Sequence, residues 1–132
     1  MRTLASVLLT ALICVSATAA ANDITAKGET LYQSRCGGCH SIEENGPGPK
    51  HRGLVGCRAG TQAGFTYSAA LSNSKVVWSK DTLDLWLLDP AAMVPGTSMP
   101  LRLANDPNDR AALVSYLLSA GAGPGDCQAA GK

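Results

Sequence analysis

Five consecutive residues, Cys36-Gly37-Gly38-Cys39-His40, constrain this chain more than any other stretch. Two thiols three positions apart, followed at once by an imidazole, form the covalent haem attachment signature. Each thiol can make a thioether to one edge of a porphyrin. His40 then lies beneath the iron as its proximal ligand. A C-x-x-C pair also serves as a redox dithiol or as half of a zinc site, and a zinc reading could recruit His51 and Cys57. The remaining residues decide among these readings.

Residues 1–21 read as an export signal. Arg2 supplies the positive start, and Leu4 to Val15 is mostly apolar but short for a bilayer span. Ala17-Thr18-Ala19 and Ala19-Ala20-Ala21 both offer small-residue cleavage sites, and cleavage after Ala21, the preferred one, leaves Asn22 first. An uncleaved membrane anchor is the alternative. Cys14 follows bulky Ile13, which argues against lipidation, so this thiol leaves with the signal.

Residues 22–132 suffice for one small domain. Aromatic residues make up 5% of the chain, so the core is thin, and a large apolar cofactor would thicken it. Losing Arg2 takes the 11 basic residues to 10, against 10 acidic ones. A balanced chain with no basic run gives no footing for nucleic acid. Of five cysteines, the loss of Cys14 and the use of two in the motif leave Cys57 and Cys127. An even pair in an exported protein predicts a disulfide, with free or intermolecular thiols as the alternative. Closing so long a loop contributes up to about 4 kcal/mol in the chain-entropy model.

The periodicities are helical. Residues 23–35 read as a helix capped by Asp23, with Ile24, Gly28, Leu31 and Tyr32 on one face. Gly28 weakens a helix, which points to a closely packed partner. Residues 41–77 are loop-rich, with one short helix over 68–73. A second helix spans 79–88, capped by Ser79, with Leu83, Trp86 and Leu87 on one face. Asp89-Pro90 opens another short helix and Asp106-Pro107 opens the last, whose buried stripe is Leu113, Tyr116 and Leu117 before Gly121 ends it. No stretch alternates as a strand should. The fold class expected is all-α.

With these elements in place, the chain resembles the class I c-type cytochromes, small soluble monohaem proteins of the mitochondrial and bacterial kind. The likeness covers roughly residues 24–119, with 120–132 as a tail. It rests on Gly28 with Tyr32, Cys36 to His40, Gly48-Pro49 and Gly53-Leu54-Val55-Gly56. Gly64-Phe65-Thr66-Tyr67, Trp78, Pro95-Gly96-Thr97-Ser98-Met99, Arg110 and Leu113 to Leu117 complete it. The zinc and dithiol readings explain nothing after residue 60.

The resemblance implies a fold of several short helices and loops wrapped around one covalently attached haem c. It gives Cys36 and Cys39 the thioethers, and His40 and Met99 the two axial positions. A thioether is a soft, neutral ligand that raises the potential. Met93 competes as a sulfur donor but reads as core filler. Pro49 matches the residue whose carbonyl accepts a hydrogen bond from His40, which fixes that ring. Tyr67, Trp78 and Thr97 match residues that hold a haem propionate. Ordinary packing is the alternative for each of these three.

The chain departs from the family pattern at several positions. Cys57 stands where an arginine is usual, and Arg58 beside it is a substitute for that charge. His51 replaces an apolar residue and reads as a surface histidine rather than a second ligand. Trp86 replaces a tyrosine near the methionine sulfur. Ser98 replaces a lysine of the docking face, so docking is expected to depend weakly on ionic strength.

The function implied is a periplasmic carrier that passes one electron between a donor and an acceptor by Fe(II)/Fe(III) cycling. Both axial positions stay filled, so no enzyme is expected. Its partners are redox proteins that dock briefly at the haem edge. The carrier is expected to be a monomer without stable membrane insertion. Two alternatives are an electron-accepting subunit of a periplasmic dehydrogenase or oxidase, and a haem enzyme or gas sensor with a labile Met99.

Overall fold

The computed structural model describes residues 4–129, with side-chain surroundings from residue 19 to 127. The ends of the expected leader and tail, residues 1–3 and 130–132, lie outside the described residues. In order, the elements are α1 (Leu4–Arg35), β1 (Cys57–Gln62), α2 (Ala69–Ser72), α3 (Lys80–Leu88), α4 (Pro90–Met93), α5 (Pro107–Ala120) and β2 (Cys127–Ala129).

The helix boundaries follow from local chemistry. The Ser79 hydroxyl accepts from the backbone of Thr82, whose own hydroxyl accepts from the Ser79 N–H, a reciprocal capping box that starts α3. Asp89 and Asp106 each accept a backbone N–H three residues on, and each is followed by a proline at the first helical position. The first helix differs from expectation. It does not begin at an Asp23 cap but runs back to Leu4. The reason is that residues 4–22 are rich in leucine and alanine and contain no proline to stop a helix. Thr25 bonds the Ala21 carbonyl at 3.0 Å, an interior helical contact.

α1 and α5 cross tightly. An added Cβ at Gly28 would fall on the Ala112 carbonyl oxygen and lie 2.8 Å from Tyr116 Cβ. Only glycine lets two backbones approach this closely. Tyr32, Leu113, Val114, Tyr116 and Leu117 are buried at or beside the crossing. Ile24 is not: it is 39% exposed, because it lies a full turn beyond the closest approach. Asp109 clamps the outside of the crossing, 2.8 Å from Lys27 and 3.3 Å from Arg35. Arg110 ties α5 to α3 through Asp84 at 3.1 Å and donates to the Leu103 carbonyl at 2.8 Å.

A small sheet was not foreseen. β1 and β2 pair antiparallel, with Cys57 opposite Ala129 and Gln62 opposite Cys127. Asp126 anchors the returning tail, accepting from Lys50 Nζ at 3.0 Å and from Gln62 Nε2 at 2.8 Å. Arg52 donates to the Ala120 and Ala122 carbonyls. The mostly helical architecture nonetheless agrees with the all-α fold class.

Candidate haem site

A cavity of about 530 Å³ lies between the helices and the long loop. Its wall contains Cys36, Cys39, His40 and Pro49 from the motif and the loop after it. Tyr67, Trp78, Thr97 and Met99 line the same cavity from the other elements. All eight residues expected to hold a cofactor therefore converge, although they span more than sixty positions of sequence. Leu71, Leu83, Leu87, Leu113 and Leu117 supply apolar lining. The interior is a slot for a large apolar body with ligating groups on its walls.

The motif hangs from the end of α1. Cys36 N and Gly37 N both donate to the Tyr32 carbonyl, and His40 N donates to the Cys36 carbonyl, so the chain turns tightly and presents His40. The His40 Nδ1 bonds the Pro49 carbonyl at 2.7 Å. Nδ1 is thereby the donor, and the Nε2 lone pair is left for a metal. Gly48 makes room for the ring: a Cβ there would stand 2.5 Å from His40 Cε1. Burial pushes the Cys36 thiol up to about 11, opposed by the nearby Arg35 charge.

Met99 lines the same cavity, and its sulfur receives the Trp86 indole Nε1–H at 3.1 Å. Trp86 is buried and meets Trp78 edge to face, centroids 5.4 Å apart. Burial raises the Tyr67 hydroxyl to about 12, against a backbone hydrogen bond from Gln62 that lowers it, so the hydroxyl stays protonated and can donate.

Two expectations fail here. His51 is not a surface residue. It lines the cavity, stacks on His40 and bonds Tyr32, and burial followed by the His40 charge depresses its pKa to about 3. Its place two residues after Pro49 is the one sequence clue that it shares the His40 loop. Arg58 does not substitute for the family arginine. Its guanidinium donates to the Ser72 and Ser74 carbonyls at 3.2 and 3.3 Å, outside the cavity lining. The residue is in β1, where a neighbour in sequence points to the opposite face. The cations that do line the cavity, Arg35 and Lys50, are both paired, with Asp109 and Asp126. Cys57 and Cys127 meet with Cα atoms 5.9 Å apart, a separation suited to a disulfide.

The Cytochrome c family model matches residues 25–121. This chain belongs to the cytochrome c family. It is 40% identical to cytochrome c of Gossypium barbadense over 93 residues, which is 68% of this chain and 84% of that protein. It is 39% identical to cytochrome c2 of Rhodomicrobium vannielii over 105 residues, 77% of this chain and 83% of the relative. Among solved structures it resembles cytochrome cH from Methylobacterium extorquens, with a TM-score of 0.66 and 38% identity over 70% of this chain and 95% of that one. As a cytochrome c, the chain is an electron carrier whose cofactor is covalently attached haem c. The cavity fits that group: two thiols, an imidazole oriented by a carbonyl, a thioether and apolar side chains all line it.

Proposed function

We propose that this cytochrome c is a periplasmic one-electron carrier whose haem is held by Cys36 and Cys39 and ligated by His40 and Met99. The observation that carries the reading is the His40 Nδ1 bond to the Pro49 carbonyl in a cavity that Met99 also lines. When bound, the haem supplies one-electron iron chemistry at a raised potential. The chain's part is to keep both ligands in place. Pro49 and Gly48 hold His40, Trp86 steadies the Met99 sulfur, and Tyr67, Trp78 and Thr97 are assigned to the propionates.

With both axial positions filled, the protein transfers electrons and catalyses no substrate reaction. Residues 1–21 act as the export signal, and the mature carrier works as a monomer. Cys57 and Cys127 form a disulfide, as an exported protein permits. Partners dock transiently at the edge near the thioethers.

The test is the visible spectrum of the protein expressed in the periplasm with haem-maturation machinery. Sharp low-spin ferrous bands and a weak far-red ferric band are expected, and Met99→Ala should abolish the far-red band. High-spin bands, or ready carbon monoxide binding by the native ferrous protein, would refute the ligand assignment.

A further inference from the structure

His51 lies flat against His40, with ring centroids 4.5 Å apart and planes 21° from parallel. Its Nδ1 is 3.0 Å from the Tyr32 hydroxyl, and the two rings meet edge to face at 70°. Tyr32 is 2% exposed and packs on Tyr116 at 5.2 Å. A continuous series of contacts thus runs from the α1–α5 crossing, through Tyr32 and His51, to the imidazole that faces the cavity. Gly48 closes on the His40 ring as well. Between them these contacts leave the ring little freedom to turn.

Packing alone does not account for a histidine at this place. A leucine would fill similar volume at no desolvation cost, whereas a half-buried imidazole turned into a cavity wall needs a hydrogen-bond partner. Tyr32 provides that partner. The His51 ring thus presents its aromatic face to His40. An aromatic face stabilises neighbouring positive charge. A proximal imidazole gains positive character when its metal is oxidised. Groups in contact with a ligand, though not with the metal, shift the balance between its states.

We propose that His51, tethered by Tyr32, is a positioning residue for the proximal ligand: it fixes the plane of the His40 ring and favours the oxidised carrier, lowering the reduction potential. The inference rests on the assignment of His40 as axial ligand.

The experiment compares the full chain, His51→Leu and Tyr32→Phe, each matured with covalent haem. Spectroelectrochemical titration gives the midpoint potential, and thermal unfolding gives stability. The potential should rise in His51→Leu and rise less in Tyr32→Phe, where the stack persists without its tether. Both variants should keep the low-spin and far-red bands. Potentials that stay level across the three proteins, or that fall, overturn the proposal even where unfolding temperatures differ, because packing alone would then suffice. Should His51→Leu fail to load haem, Tyr32→Phe decides by the same criterion. Absence of low-spin bands in the unaltered protein would instead refute the His40/Met99 assignment, a separate failure.

Discussion

The indole Nε1 of Trp86 stands 3.1 Å from the sulfur of Met99, placing a hydrogen-bond donor on the sulfur proposed as the distal ligand. A donor withdraws electron density from sulfur and so disfavours the oxidised state. Trp86→Phe should therefore lower the reduction potential. A net hydrogen bond of about 0.5–1 kcal/mol corresponds to about 20–40 mV for one electron. The phenyl ring preserves most of the contact with Trp78, so voltammetry should record the shift in a protein that still folds.

Gly28→Ala should destabilise the fold. Alanine favours a helix by up to about 1 kcal/mol over glycine. The new methyl would overlap the Ala112 carbonyl, which is backbone and cannot swing aside. Overpacking of this kind costs about 1–3 kcal/mol or more, so the steric effect prevails. Urea unfolding should show a net loss of about 1–2 kcal/mol.

Asp109 predicts the acid limb of stability. The hydrogen bond from Lys27 chiefly holds its carboxyl below the usual range, with Asp106 and the charge of Arg35 adding to it. A carboxyl depressed in the folded state stabilises above its unfolded pKa of about 4, and the contribution vanishes as pH falls through the folded value. Asp109→Asn should be less stable than the parent at pH about 7, with the gap narrowing below pH about 4. Melting temperatures across that range check it.

The elements governed by local chemistry could be read from the sequence. Ser79, Pro90 and Pro107 mark helix starts through interactions within four residues, and Gly28 announced a close crossing. What could not be read depends on distant partners. β1 is paired by a tail some seventy residues away, and no local alternation reveals it. His51 is turned inward because Tyr32, on another element, bonds it. The residues that line the cavity were legible through the spacing of several motifs together, whereas Arg58 was misjudged because only the structure gives its direction.

Docking should be insensitive to salt. Arg35 and Lys50, the cations on the cavity wall, already have Asp109 and Asp126 as partners. Little net charge remains there to steer a partner, and screening acts over about 10 Å at 0.1 M salt. Stopped-flow rates with a redox partner should change less than about threefold between about 0.01 and 0.15 M salt.

Cys127→Ser should cost up to about 4 kcal/mol if the bridge to Cys57 forms, since a separation of 70 residues loses its closure. Denaturation with and without a dithiol should then converge on the variant's value in the reduced parent. An unchanged midpoint would mean that the thiols are free.

With that bridge closed, the covalent graph of the molecule is a loop with an arm. Residues 57–127 form the loop, which carries Met99, Trp78 and Trp86. The stretch before Cys57 forms the arm, which carries Cys36, Cys39 and His40. The two proposed axial ligands thus belong to different parts of the graph. A haem fixed to the arm and ligated by the loop would be a second clasp, and losing Met99 would open that clasp while leaving the loop shut.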